Sequence, residues 1–269
     1  MYLLFDVGGT STRIAVSSDK KTFLEPQTFG TPKEFKKGLG IFEKFLADLG
    51  NPKITAVCGG VPGPLDRTRS KITGAPNLSG WTGMPLKSEL EKLFKAPVYL
   101  ENDAALGALG EATVGAGKGK SIVAYLTIGT GVGGARIVHG KIDANVLGFE
   151  PGHQFICFES ERDLESYISG TAIEKNYGKR PAEITDPKLW EDIARWLAYG
   201  LVNTTVHWSP EIIILGGSVM KMMPLERVRF HFKNLLKISE NPPEVVLSKL
   251  GDQAGLYGAL VLLKQNLKT

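Results

Sequence analysis

Ile122-Val-Ala-Tyr-Leu-Thr-Ile128 runs straight into Gly129-Thr130-Gly131-Val132-Gly133-Gly134 and then Ala135-Arg136-Ile137-Val138. The spacing Gly129-x-Gly131-x-x-Gly134 matches a dinucleotide-binding fingerprint on paper, but that fingerprint must open a helix. Here a second apolar, β-branched run follows, then His139-Gly140, so the stretch reads as a strand, a glycine turn and a returning strand. Glycine lets backbone approach a ligand closely, and consecutive free N–H groups make a nest for anions. A β-hairpin that holds phosphate fits the pattern.

Two further glycine turns follow buried-strand patterns. Asp6-Val7-Gly8-Gly9-Thr10 comes after Tyr2–Phe5, and Gly216-Gly217-Ser218 after Ile212–Leu215. Three such turns, two carrying threonine hydroxyls, point to a polyphosphate held between two halves of a protein. Gly119-Lys120-Ser121 fails as a P-loop, because Val114 stands where the first glycine belongs and a strand follows.

The rest of the chain supports two α/β halves. Arg13–Ser17 and Thr22–Phe29 read as strands after the first turn. Thr31-Pro32-Lys33-Glu34 reads as a capping box opening a helix with Phe35, Leu39, Phe42, Leu46 and Leu49 on one face, ended by Gly50. Strands are expected at Ile54–Cys58 and Val98–Glu101, and helices at Pro85–Phe94, Ala104–Glu111, Leu164–Tyr177, Pro187–His207 (capped by Asp186) and Gln253–Leu267. Gly115–Gly119 is the linker candidate. A strand–turn–strand unit opens each half, which reads as a structural repeat. The expected domains are residues 1–117 and 118–252, with 253–269 packing back on the first.

Composition narrows the class. The chain has 269 residues, 42% hydrophobic and 22% charged, with a net charge of +4 and no dense basic run, so no nucleic-acid partner is expected. Two cysteines, Cys58 and Cys157, make no disulfide framework. Asp6 interrupts the apolar start too early for a signal peptide, and no apolar stretch approaches the roughly 20 residues of a membrane span. The expected compartment is the cytoplasm.

Individual residues then acquire candidate roles. Asp6 either ends a strand or holds Mg²⁺ beside phosphates, through water. Asp103, in Glu101-Asn102-Asp103-Ala104, is a helix cap or a carboxylate at the carboxyl end of a strand, where open α/β sheets bind ligands. Glu150-Pro151-Gly152-His153 offers two polar groups held rigidly, as polyol recognition requires, and Glu165 can join them from a helix start. His139, His207 and His231 have no such context.

Together these segments resemble the ROK-family sugar kinases, a branch of the actin/hexokinase/Hsp70 superfamily. Asp6–Thr10, Gly60-Val61-Pro62-Gly63-Pro64, Pro76-Asn77-Leu78 with Trp81, Glu101–Ala104, Thr127–Gly134, Glu150–His153, Leu164–Gly170 and Leu215–Ser218 match in order across almost the whole chain. The resemblance implies a two-lobed ribonuclease-H-like α/β fold with a central ligand cleft, ATP and Mg²⁺ as cofactors, and phosphorylation of a hexose at its primary hydroxyl as the lobes close. Glucose is the expected hexose; mannose, fructose, N-acetylglucosamine and N-acetylmannosamine suit such a pocket too.

By the same resemblance Asp103 is the catalytic base, and Asn77, Asn102, Glu150, His153 and Glu165 bind sugar hydroxyls, with Gly60 lining the pocket. Gly8, Gly9, Thr10, Thr130 and Gly131 cradle phosphates, Gly216 and Gly217 lie against adenosine, and Asp6 holds the metal's water shell. A homodimer is implied as well. Two departures stand out. The family's lysine after the first turn's threonine is Ser11 here, leaving Arg13 as the nearby charge. The cysteine-rich zinc knuckle is absent between His153 and Leu164, and Cys157 alone cannot complete a tetrahedral site, so no zinc is expected and His153 needs another partner. A sugar-responsive repressor of the family would carry a DNA-binding domain before the first strand. An acetate-kinase-like ATPase would not need Glu150, His153 and Glu165.

Overall fold

The computed structural model describes residues 1–267. Two compact units divide the chain. The first comprises Met1–Gly110, Ala144–Gly148 and the chain from Gln253 onward; the second comprises Glu111–Asp143 and Phe149–Asp252.

In the first unit, β1 (Tyr2–Val7), β2 (Ser11–Ser17) and β3 (Gln27–Gly30) form an antiparallel meander. After α1 (Phe35–Asp48) comes β4 (Ala56–Val61), and after α2 (Leu86–Phe94) comes β5 (Val98–Asn102), both running parallel to β1. The sheet order is β3-β2-β1-β4-β5. Helix α3 (Asp103–Thr113) follows directly.

The second unit repeats this plan. β6 (Ile122–Ile128), β7 (Val132–Val138) and β8 (Lys141–Ile142) form the meander. A hairpin of β9 (Phe155–Cys157) and β10 (Arg162–Asp163) precedes helices α4 (Glu165–Ile168), α5 (Gly170–Tyr177) and α6 (Pro187–Trp208). β11 (Ile212–Gly216) pairs parallel to β6, and β12 (Glu244–Leu247), after α7 (Leu225–Leu235), pairs parallel to β11. Read from its meander edge the order is β8-β7-β6-β11-β12, the same topology as the first sheet. The mixed α/β fold and the repeat are therefore as expected. The glycine turn at 129–134 does join two antiparallel strands.

Alternation along β1 explains how the first sheet is covered on both faces. Leu3, Phe5 and Val7 join Phe42, Trp81 and Leu90 beneath α1 and α2, while Leu4 joins Cys58, Leu106 and Leu260 on the opposite face. Leu260 belongs to the last helix, α8 (Ala254–Asn266), which lies on β1 and β4. In the second unit Leu126, Ile128, Ile213 and Leu215 pack with Leu197 and Leu201 of α6 and with Phe232 of α7.

Local readings differ at four places, the first being the strand expected over Ile54–Cys58, which runs over Ala56–Val61. Helix α1 starts at Phe35 with Glu34 as its N-cap and no side-chain cap. The expected capping box does not form, because the Thr31 hydroxyl is buried and committed to the first glycine turn. The strand expected over Thr22–Phe29 is only Gln27–Gly30. The helix expected over Leu164–Tyr177 breaks at Ser169, which turns extended and caps α5 by accepting the Ala172 N–H. No helix among the described residues is long and apolar enough to cross a membrane.

Candidate active site

The first turn is held from behind. Thr31 Oγ1 donates to Gly8 O at 2.8 Å and Lys33 Nζ to Gly9 O at 3.0 Å. The Thr31 N–H donates to Thr10 O at 2.9 Å, and Thr31 Oγ1 also pairs with Thr12 Oγ1 at 2.9 Å. Three consecutive carbonyls are thus covered by protein donors. Among the described residues, no acceptor takes the N–H of Gly9 or Thr10. Thr10 is exposed.

The second turn has the same design. The N–H groups of Gly170, Thr171 and Gly129 cover the carbonyls of Gly129, Thr130 and Gly131 at 2.7, 3.4 and 2.9 Å. The N–H groups of Thr130 and Gly131 meet no acceptor among the described residues. The next N–H, from Val132, donates to Glu165 Oε2 at 2.6 Å. Two adjacent uncovered N–H groups on a turn suit a phosphate oxygen. At the third turn, packing already demands glycine. Gly217 has φ +92°, and a Cβ there would lie 2.3 Å from Ile128 O. A Cβ on Gly216 would meet the Tyr125 hydroxyl at 2.5 Å.

The carboxyl ends of β1, β4 and β5 place polar residues in one row. Asp6 pairs in register with Gly60, and Gly60 with Glu101. A Cβ on Gly60 would lie 3.0 Å from Asp103 Cα, so glycine there lets α3 begin against the sheet. Asn102, rather than Asp103, caps this helix: its Oδ1 accepts the Ala105 N–H at 3.0 Å. Its Nδ2 donates to Gly63 O at 3.2 Å, so both ends of the amide are engaged. Asp103 Oδ1 accepts the Ala104 N–H at 2.8 Å, and the residue is half-buried. Asn77 is exposed, and its backbone is tied to the first turn: Lys33 Nζ donates to Asn77 O at 2.6 Å. A Cβ on Gly9 would lie 3.1 Å from Asn77 Cβ. Lys33 escaped the sequence reading, since a lysine over 20 residues from the turn carries no local signal.

Glu101 is 7% exposed. Its Oε1 accepts the Asn102 N–H at 2.9 Å, and its Oε2 pairs with the Arg69 guanidinium.

In the second unit, Glu150 precedes the single turn Pro151–His153. That turn packs on β7, where a Cβ on Gly152 would lie 2.3 Å from Val132 O. His153 Nδ1 lies 2.9 Å from Asp163 Oδ2. The hydrogen bond to Asp163 raises the imidazole pKa; Glu165 and Glu150 add to the rise, and partial burial opposes it. Burial opposes ionisation of Asp163 too, but His153 and the Ser166 N–H and hydroxyl outweigh it and hold the carboxyl below its ordinary range. Crowding around the Glu150 carboxyl pushes its pKa up; His153 opposes this and Glu165 adds to it. Asp163 is the partner that a histidine without a zinc knuckle requires. The β9–β10 register places it there, a pairing too short to read from sequence.

The donor set tells which metals fit. The His153 Nδ1 is committed to Asp163, and Cys157 Sγ lies 3.6 Å from Glu159 Oε2. Among the described residues no group of three or more His, Cys, Asp or Glu side chains is placed to hold a metal ion, and Cys157 has no second cysteine beside it, so the donor set does not fit a tetrahedral zinc. Mg²⁺ asks less, being bound through one or two carboxylates plus phosphates and water. Asp6 suits it: the side chain is 18% exposed, with Arg13 Nη1 at 4.0 Å. Gly255 of α8 makes room, since a Cβ there would lie 2.8 Å from the Asp6 carboxylate.

The ROK family profile matches residues 2–266. The chain belongs to the ROK family. It is 31% identical to a fructokinase of Zymomonas mobilis over 97% of this chain and 96% of that protein. It superposes on a ROK hexokinase from Thermus thermophilus with a TM-score of 0.85 and 29% identity, covering 99% of each chain. A ROK family glucokinase from Streptomyces griseus, solved in complex with glucose and AMPPNP, gives a TM-score of 0.83 and 27% identity, covering 98% of this chain and 99% of that one. The ROK chain thus resembles sugar kinases along its whole matched length, and one of them holds both a sugar and an ATP analogue.

Proposed function

We propose that this protein is an ATP-dependent hexose kinase that phosphorylates a primary hydroxyl, with glucose as the preferred hexose. The observation that carries the reading is the paired turn design. Twice, in two units of equal topology, three carbonyls are covered from behind and two adjacent N–H groups are left without a protein acceptor. Each unit by itself thus offers a nest for phosphate oxygens, as an enzyme that uses a nucleoside triphosphate needs.

Phosphoryl transfer needs alignment and charge neutralisation more than covalent chemistry. The N–H groups of Gly9, Thr10, Thr130 and Gly131 receive phosphate oxygens, and the Thr10 and Thr130 hydroxyls add donors. Gly8 shapes the first turn, while Gly216 and Gly217 lie against adenosine. Asp6 holds the water shell of Mg²⁺, which neutralises phosphate charge when bound. Asp103 orients the sugar hydroxyl and accepts its proton as the new bond forms. Glu150, His153 and Glu165 take ring hydroxyls, together with Asn77 and Asn102. The Asp163 carboxylate fixes the His153 ring and keeps Nδ1 protonated, so Nε2 is the nitrogen that meets the sugar.

The similarity to a fructokinase makes fructose the second candidate, with mannose and N-acetylated amino sugars after it. A coupled ADP-release assay over a panel of hexoses and amino sugars tests the proposal. Glucose should give the highest kcat/KM. Absence of hexose-dependent ADP formation would reject the kinase reading, and a higher kcat/KM with fructose would reject glucose.

A further inference from the structure

Arg69 has an unusual backbone for its residue type. Its φ is +50°, in the left-handed region that glycine occupies freely and a side chain with a Cβ does not. The hairpin that carries it is built to hold that conformation. Leu65 and Ile72 form an isolated antiparallel bridge, and Asp66 closes the loop between them. Asp66 Oδ1 accepts the N–H groups of Ser70 and Lys71 at 2.6 and 3.2 Å. Its Oδ2 accepts the hydroxyls of Thr68 and Ser70 at 2.6 and 2.9 Å. The Arg69 N–H donates to Asp66 O at 2.8 Å. A glycine at 69 would satisfy this loop with less strain, so the reason for arginine lies in its side chain.

That side chain reaches Glu101. The guanidinium engages Oε2, which leaves Oε1 on the Asn102 N–H. Asn102 in turn caps α3 through Ala105, and Asp103 is the first residue of that helix. A chain of polar contacts thus runs from Arg69 through Glu101 to the start of α3. Removing the cation leaves an uncompensated charge, which favours rehydration of the Glu101 carboxylate and so loosens its bond to Asn102.

We infer that Arg69 is a positioning residue: by neutralising Glu101 it fixes the Asn102–Asp103 junction, and with it the proposed catalytic base. The role of Asp103 rests on the kinase reading above; the mechanical link does not.

The test uses Arg69→Gly, which suits the backbone and so protects folding, and the double variant Arg69→Gly/Glu101→Gln, which removes the stranded charge. Amide hydrogen exchange reads the link without activity. In Arg69→Gly the Asn102 and Ala105 amides should exchange about tenfold faster, with the strand pairs of β1 and β4 unchanged. The double variant should return them to within about threefold of the wild type, because an amide at 101 can still accept the Asn102 N–H. In the hexose assay, kcat of Arg69→Gly should fall about tenfold while the KM for ATP stays constant. Unchanged exchange at Asn102 and Ala105, or equal loosening of β1 and β4, would overturn the inference. If the wild type turns over no hexose, the kinase reading falls and the exchange pattern still decides the role of Arg69.

Discussion

His153 Nδ1 and Asp163 Oδ2 lie 2.9 Å apart, joining the turn after Glu150 to the β9–β10 hairpin. The pair fixes the His153 ring from its Nδ1 side. Asp163→Asn removes the negative charge and leaves only a neutral amide oxygen as the acceptor, weakening the contact that raises the His153 pKa. A raised pKa keeps the imidazolium to higher pH, and the charged pair is lost as pH rises through that value. NMR titration of the ring protons should therefore place wild-type His153 above its ordinary value and the variant below the wild type. Equal titration of the two proteins would show that Asp163 does not govern the ring.

Asp103→Asn should preserve sugar binding and lower kcat by about 10²–10⁴, the range for a lost general base. Asn102, which caps α3, is untouched, so the helix start survives. Steady-state kinetics with a calorimetric sugar titration make the comparison. A near-normal kcat would remove Asp103 from the chemistry.

Glu150→Gln should raise the sugar dissociation constant roughly 10- to 150-fold, since a charge-assisted hydrogen bond contributes about 1.5–3 kcal/mol. ATP binding should hardly change. The Glu150 pKa is raised by crowding, so in the wild type sugar affinity should start to fall, as pH is lowered, above the range where an ordinary carboxylate protonates. Titrations of both proteins with sugar and with a non-hydrolysable ATP analogue check this. Equal weakening toward both ligands would assign Glu150 to the loop alone.

Thr31→Val leaves Gly8 O without its hydroxyl donor and Thr12 Oγ1 without its partner. Loss of a buried partner costs about 1–3 kcal/mol, which denaturant unfolding should register. The KM for ATP should rise in the same variant, because the first turn loses one of its three rear contacts. Unchanged stability and KM would mean that the turn holds its shape unaided.

Elemental analysis of chelator-free protein should find well under one zinc per chain. A tetrahedral site needs more ligands than His153 and a lone Cys157 supply, and among the described residues no group of three or more His, Cys, Asp or Glu side chains is arranged to hold a metal ion. Stoichiometric zinc would require a different arrangement of the β9–β10 hairpin.

The strand Ile122–Ile128 was legible to the residue because it is apolar on both faces and bounded by a glycine turn. Strand β12 escaped notice: it is only Glu244–Leu247, and just one of its residues is buried. Helix α7 hides its apolar stripe, Val228 and Phe232, among charged neighbours. The failure at Thr31 has a different cause. Its spacing to Glu34 fits a capping box, but the hydroxyl is drawn to Gly8 O, 23 residues away, and no local pattern carries that contact. The break at Ser169 is similar, since it places the Gly170 N–H on Gly129 O. In the candidate site the glycines and acids were visible as types. Arg69, Lys33 and Asp163 were not, because each acts through tertiary pairing.

Helix α8 supplies Leu256, Leu260 and Leu263 to one face of the first sheet, against Leu4 and Cys58. During synthesis that face lacks the α8 side chains until all of Glu111–Asp143 and Phe149–Asp252 has been made. At roughly 5–20 residues per second the first sheet waits on the order of ten seconds or more for its cover. The unit begun first is completed last, and a nascent chain stalled before Ala254 presents an apolar sheet face to chaperones.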